Sequence, residues 1–273
     1  MLNDILALDK RLAIANRRLQ MQFPDHVGIE QFIDEYLQTY ARFNRLDTKG
    51  ILAHNNHFAR TYAKHLEAFA ETGLYPCQTG DNTHIDRLCY DIALILSCVT
   101  SPARYAIARC LYDAVPAFDQ RRVCVVGAGA GIELALLQRL TLRTDVTAFD
   151  FAFNDFLRSA FADYTLRETD FLDADATPSF DVVLAIELLE HVEHHEKILQ
   201  KAWHCLTPGG QLLCTTATNM PQFDHRYNFV DLDAFKDKVQ ASGFTVLEHR
   251  TFHEPHTFHR IDSRNDWFVL EKR

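Results

Sequence analysis

Two textures divide the chain. Over roughly the first 115 residues, apolar side chains recur at three- and four-residue steps. Ile29, Phe32, Ile33, Tyr36, Leu37, Tyr40 and Phe43 form one apolar face and predict a helix over 29–43. Phe58, Tyr62, Leu66 and Phe69 predict another over 56–72, with Gly73 placed to cap its C-terminus. A third helix is expected to start near Asp81–Thr83 and to carry Ile85, Leu88, Ile92 and Ile95. Ser101-Pro102 reads as an N-cap followed by proline at the first helical position. Residues 1–20 carry a fainter helical pattern.

After Pro116 the pattern changes to short apolar runs separated by helical stretches. The runs are 123–126, 146–149, 164–169, 181–186, 211–216, 245–247 and 267–270; the stretches are 131–142, 153–163, 192–206 and 231–242. Buried strands alternating with helices specify a parallel, doubly wound sheet. The last two strands leave no room for a crossover helix and should pair antiparallel. The expected architecture is α/β: a mostly parallel sheet over 119–273, preceded by an all-helical segment over 1–118. A ligand site belongs at the carboxyl ends of its strands.

Composition narrows the class. The chain has 273 residues, 47% hydrophobic, and 28 Lys+Arg stand against 37 Asp+Glu for a formal charge of -9. As a whole-chain property, that balance argues against a non-specific nucleic-acid binder or a coat for anionic membranes. No apolar run approaches a membrane span, and the first residues lack the basic, apolar and small-residue pattern of a secretory leader. The seven cysteines are scattered without a C-x-x-C pair, so neither a disulfide framework nor a zinc ribbon is indicated. A cytoplasmic protein with reduced thiols, no membrane partner and no nucleic-acid partner is expected.

The run 123–126 leads straight into Gly127-Ala128-Gly129-Ala130-Gly131 and then a helix. Glycines there permit a sharp turn and close approach of a ligand. The dinucleotide pattern G-x-G-x-x-G fails at Ile132. A P-loop fails as well, because no G-K-[ST] follows and no Lys or Arg lies between Arg122 and Arg139. Asp150 ends the second strand, where such folds bind ribose hydroxyls. Thr169-Asp170-Phe171 ends the third, Glu187-Leu188-Leu189-Glu190-His191-Val192 follows the fourth, and Pro208-Gly209-Gly210 marks a turn before the fifth.

In this order the motifs resemble the class I, Rossmann-like S-adenosylmethionine-dependent methyltransferases, over about 121–273. The resemblance implies a seven-stranded sheet of order 3-2-1-4-5-7-6 with strand seven antiparallel, and S-adenosyl-L-methionine as cofactor. It implies that Gly127, Gly129 and Gly131 lie under the methionine part and that Asp150 binds the ribose hydroxyls. Asp170 and Phe171 would meet the adenine, and Glu187 would join the cofactor contacts. The family's usual acid two places before the first glycine is here Val125; Glu133 is the candidate substitute.

An activated methyl sulfonium mainly needs placement, exclusion of water and a base for the acceptor's proton. His191 is the candidate catalytic base. The Glu187-x-x-Glu190-His191 run also resembles the E-x-x-E-H-V segment of ubiquinone-pathway O-methyltransferases and of small-RNA 2′-O-methyltransferases. In the latter, carboxylates and a distant histidine bind a divalent metal, for which His225 in Asp224-His225-Arg226 is the candidate here. The same segment occurs in metal-free relatives, so a divalent metal is the less favoured expectation, against a capping and charge-pairing role at the helix entry.

Other positions read more plainly. His253, His256 and His259 are expected in the turn between the last two strands as surface imidazoles, and His194 and His195 on a solvated helical turn. Tyr36, Tyr40, Phe58 and Tyr62 read as core, with a minority of them able to turn towards the active site. The helical segment is expected to close a pocket for a small aromatic or amphipathic substrate methylated at O or N, or else to cover the sheet or form a homodimer. The alternatives are a metal-assisted RNA 2′-O-methyltransferase and a non-catalytic cofactor-binding partner subunit.

Overall fold

A computed structural model of the chain describes residues 1–24, 27–80, 84–174, 177, 179–256 and 260–273. Seven strands form one sheet: β1 Arg122–Val126, β2 Asp145–Asp150, β3 Thr165–Glu168, β4 Phe180–Ala185, β5 Leu206–Thr218, β6 Phe244–His256 and β7 Ile261–Lys272. Their order is β3-β2-β1-β4-β5-β7-β6. Strands β1 to β5 pair in parallel, and β7 runs antiparallel to both β5 and β6. The doubly wound sheet and its reversed seventh strand are as the resemblance implied.

Strand β1 shows how the sheet divides two layers. Val123 and Val125 join one apolar core, while Cys124 and Val126 join the other, the two-residue alternation of a strand buried on both faces. The first core also contains Ile33, Leu37 and Ile51 from the N-terminal helices. The helical segment therefore shares its core with one face of the sheet.

Helices α1 Leu2–Leu8, α2 Lys10–Gln22, α3 Val27–Phe43, α4 Thr48–Thr72, α5 Pro76–Thr79, α6 Arg87–Ser97 and α7 Pro102–Ala114 make up that segment. Helix α8 (Ile132–Leu140) follows β1, α9 (Asp155–Ala160) follows β2, α10 (His195–Cys205) follows β4 and α11 (Leu232–Ala241) follows β5. The 1–20 pattern is broken at Asp9, whose carboxylate accepts from the N–H groups of Arg11 and Leu12 and caps α2. Helix α4 starts eight residues before the periodic stretch, at the Asp47 cap, and ends at Gly73 with φ +68°. The polar 48–57 stretch hides its face, because only Ile51 and Asn55 are buried there. Ser101 caps α7 as expected. The Asp81–Thr83 start lies outside the described residues; α6 itself is capped by Asp86.

Three expectations are corrected. The last hairpin is far longer than its apolar runs, with β6 paired to β7 from Phe244↔Lys272 to His256↔Ile261. His253 is thus a strand residue opposite Arg264, not a turn residue; polar side chains on its exposed face concealed the strand. His256 belongs to β6 but its side chain, like the whole of His259, lies outside the described residues. Pro208-Gly209-Gly210 is a bulge within β5 rather than a turn before it, Phe180 and Val182 pairing with Leu206 and Gln211. His195 is buried, packed at 4.5 Å from the Tyr227 ring and 4.9 Å from that of Phe229. His194 stays largely exposed.

Candidate active site

The carboxyl ends of β1, β2 and β4 open onto a cavity of about 330 Å³. Its floor is the glycine loop. Gly127 and Gly129 have φ of +74° and +51°, a region that favours glycine. A Cβ at Gly129 would meet nothing closer than 4.0 Å, so that position leaves space above the backbone. Gly131 does not reach the cavity wall. It begins α8 at φ +78°, where a side chain would collide with Leu157, Tyr36 and Phe161. Its glycine is required by packing behind the loop.

The loop is held from two sides. The Asp150 carboxylate accepts from the Gly129 N–H at 3.1 Å. Across the helical layer, the Tyr36 hydroxyl donates to the Ala130 carbonyl at 2.6 Å, and Arg87 donates to the carbonyl of Gly129. Arg87 is itself paired at 2.7 Å with the buried Asp91, which also accepts from Tyr40 and Asn154.

Asp150, Asp170, Phe171 and Glu187 all line this cavity. Asp170 caps the turn of Phe171–Asp173 by accepting from the Leu172 N–H. Phe171 is almost wholly buried and meets Phe149 edge-on at 5.4 Å. Phe151 is 79% exposed at the cavity wall and offers a second aromatic face, directly after Asp150. The sequence offered one signal for it, an aromatic directly after the acid that ends the second strand. Glu133 also faces the cavity, and burial pushes its carboxyl up to about 7.

A second cavity of about 250 Å³ lies between the sheet and the helical segment. Phe58 and Tyr62 of α4, Tyr90 of α6, Leu12 of α2 and Met220 after β5 form its apolar wall, and Glu254 adds a carboxylate. Phe58 and Tyr62 are therefore pocket residues rather than plain core. The two cavities share Tyr90, Leu94, Arg104, Glu187 and His191. These five residues form their boundary.

At that boundary Glu187 has φ +50° and its side chain is fully engaged. It pairs with Arg104 at 3.0 Å and accepts from Thr215 at 2.9 Å and Asn265 at 2.7 Å. Arg104 had no signal in the sequence: it is one arginine on α7, made central by where that helix lands. His191 Nδ1 lies 3.3 Å from the Asp224 carbonyl oxygen and 3.4 Å from its carboxylate. With Nδ1 donating there, Nε2 is the nitrogen free to accept a proton.

His225 packs edge-on to His191 at 4.7 Å. The Glu190 carbonyl draws it in, accepting from the N–H groups of Arg226 and Tyr227 at 2.7 and 3.0 Å. Both carboxylate oxygens of Glu190 and Nδ1 of His225 are buried without a hydrogen-bond partner. Burial, reinforced by Glu187, holds the Glu190 carboxyl well above the usual range. Burial, with His191 adding to it, lowers His225 to about 3. Ligand atoms of Glu190, His191 and His225 lie within 4.8 Å of one another, a geometry fit for a divalent cation. Of the two carboxylates in the Glu187-x-x-Glu190 run, only Glu190 takes part in that set.

A family model described as a methyltransferase domain matches residues 101–267. Over 108 residues the chain is 33% identical to the ubiquinone biosynthesis O-methyltransferase of Xanthomonas oryzae pv. oryzae (strain PXO99A), covering 37% of this chain and 44% of that protein. The enzyme of the same name from Xanthomonas campestris pv. campestris (strain B100) is 32% identical with the same coverage. The chain thus matches less than half the length of these relatives. Among solved structures, the 1,6-didemethyltoxoflavin-N1-methyltransferase of Burkholderia thailandensis, with 1,6-didemethyltoxoflavin and S-adenosylhomocysteine bound, is similar at a TM-score of 0.50. That match covers 61% of this chain and 78% of the other at 16% identity, a likeness of fold. No single helix among the described residues is long and apolar enough to cross a membrane. The matched domain, the sheet order and the glycine loop agree, and the chain belongs to the class I S-adenosylmethionine-dependent methyltransferases.

Proposed function

We propose that the chain methylates a hydroxyl group of a small, apolar or aromatic molecule, with the cofactor in the first cavity and the acceptor in the second. The observation that carries this reading is the shared boundary: a methyl group has to pass between two sites, and His191 lines both. Bound S-adenosylmethionine would supply a methyl group already activated as a sulfonium. The rest is placement by this chain. Gly127 and Gly129 admit the methionine part, Asp150 accepts from the ribose hydroxyls, and Asp170 with Phe151 or Phe171 flanks the adenine. Glu133 stands near the cofactor's amine in place of the acid missing at Val125.

His191 Nε2 accepts the acceptor's proton, while Asp224 fixes the ring and stabilises the charge that develops. Arg104, itself held by Glu187, fixes the boundary between the cavities. Phe58, Tyr62 and Tyr90 hold the acceptor's apolar body and exclude water. The walls come from α2, α4 and α6, which suits a small molecule better than a polynucleotide. The O-methyltransferase names of the Xanthomonas relatives favour oxygen over nitrogen.

A second reading has its own support in the orphaned oxygens of Glu190. Glu190, His191 and His225 would hold a divalent cation, which would act as a Lewis acid towards the acceptor oxygen. Calorimetric titration with S-adenosylhomocysteine tests the cofactor site, and turnover on a panel of phenols tests the acceptor site. Both are repeated with magnesium and after EDTA. Micromolar binding with metal-independent turnover supports His191 as base; turnover abolished by EDTA and restored by magnesium supports the second reading. No binding under any condition defeats both.

A further inference from the structure

Charge is spread unevenly over this acidic chain. Residues 10–24 and 48–66 contain no Asp or Glu, although the whole carries -9. Lys10, Arg17 and Arg18 of α2 and Lys49, Arg60 and Lys64 of α4 are exposed. None of these six forms an ion pair among the described residues.

At 3.6 residues per turn, the cations of each helix fall on one side. On α2 that stripe also contains Ile14 and Met21, 55% and 79% exposed, and just before it Leu8 is exposed as well. Leu12, on the opposite side of α2, lines the second cavity. The first turns of α4 repeat the arrangement: Phe58 and Tyr62 face the cavity, and Lys49, Asn56, Arg60 and Lys64 lie on the reverse, a stripe that ends at the exposed Glu67 and Glu71. Arg11 donates to Asn56 at 2.5 Å and joins the two stripes into one surface.

We propose that this outer face of α2 and α4 docks on an anionic lipid surface. The six cations meet the headgroups and Ile14 and Met21 enter the interface, leaving the second cavity on the far side of the same two helices. The pattern of a cationic helix face with interspersed apolar side chains suits an interfacial helix, which lies along a bilayer without crossing it. The choice of lipid over nucleic acid rests on side-chain type. The apolar members are aliphatic or thioether, while Phe58 and Tyr62 of α4 line the cavity and Phe69 packs on Tyr75. The chain's overall negative charge would repel such a surface elsewhere and so fixes which face approaches it.

The test is co-sedimentation of the full chain with vesicles of phosphatidylglycerol and phosphatidylcholine against vesicles of phosphatidylcholine alone. Binding at least tenfold stronger to the anionic vesicles, weakening as salt is raised, is expected. Arg17→Glu with Arg18→Glu should lower it by more than tenfold, at about fivefold per cation lost. Ile14→Asp should lower it at low salt too. S-adenosylhomocysteine affinity, measured by calorimetry, should be unchanged in both variants and serves as the control for folding. Equal partition onto both vesicle types overturns the proposal, as does binding that both variants retain. Salt-sensitive binding of single-stranded RNA, abolished by the arginine reversal while vesicles go unbound, replaces the lipid with a nucleic acid. Failure of the unsubstituted chain to bind S-adenosylhomocysteine would count against the methyltransferase reading and leave the vesicle result to stand by itself.

Discussion

The two cavities meet at five side chains yet are built on different plans. The first is lined mainly at the ends of parallel strands, by 126–130, Ile132, Glu133, 149–151, 169–172, 186–188, His191 and Val192, with further residues from α6, α7, α10 and the loop after β5. Asp150 holds the glycine loop and Asp170 caps a turn. The second takes most of its lining from α2, α4, α6, the start of α7 and the loop after β5, with Glu254 from the long β6 strand. A site set at strand ends suits one invariable ligand, whereas a site lined mainly from separate helices can change its ligand without disturbing the sheet.

The largest expected effect lies at the boundary. His191→Ala should lower kcat by about 10²–10⁴-fold, the usual range for a lost general base. The affinity for S-adenosylhomocysteine should change little. Turnover that survives the substitution would move the base elsewhere and break the proposed division of labour.

Behind the first cavity, Gly131→Ala places a Cβ against Leu157 and Phe161 at a positive φ. Overpacking and backbone strain together should cost about 2–4 kcal/mol in urea unfolding. An unchanged midpoint would show that α8 can shift without penalty.

The comparison itself is sharpened by a pair of variants. Asp150→Ala should weaken S-adenosylhomocysteine binding by about 10–100-fold, through loss of hydrogen bonds to a charged group. Phe58→Ala should leave that affinity intact and raise KM for the acceptor by about tenfold, a hydrophobic side chain's share of binding. If both variants damaged cofactor affinity equally, the two cavities would act as one site. Deleting residues 1–60 cannot separate them, since Ile5, Leu19, Ile33 and Ile51 belong to the shared core.

Away from both cavities, burial lowers His195 to about 4, with Lys238 adding to the effect. The unfolded chain binds this proton more readily than the folded chain between pH 6.5 and about 4. Stability therefore falls as pH drops through that window, by about 2–3 kcal/mol at its lower end. Unfolding at pH 7 and pH 4, with His195→Gln as reference, isolates the share: the variant should lose less on acidification. Parallel losses would show that other groups carry the acid sensitivity. The smallest effect is expected at the tether between the halves. Tyr36→Phe removes one hydrogen bond to the Ala130 carbonyl, worth about 1 kcal/mol in stability and a few-fold in cofactor affinity.

The strands, the crossover helices, the reversed last strand and the acids at Asp150 and Asp170 were readable because each is a local pattern. Period-two apolar runs, turn glycines and caps act over a few residues, so position along the chain already determines what they do. Gly131 was legible as a necessary glycine but not for its reason, which lies in side chains 26 and 30 positions later and in Tyr36. The 244–256 strand was misread because polar residues on its exposed face interrupt the apolar run. His195 was misread because its cover, Tyr227 and Phe229, comes from a loop after β5.

From the sequence alone followed the α/β architecture, the cofactor edge of the sheet, and His191 and His225 as candidates for chemistry. Tertiary structure alone decided that Arg104 stands between two cavities, that Glu187 turns away from the Glu190, His191 and His225 set, and that the cations of α2 and α4 join on one outer face. Each of these depends on where a helix lands against distant strands. That landing is set by the summed burial of a shared apolar core, which no short window of sequence contains.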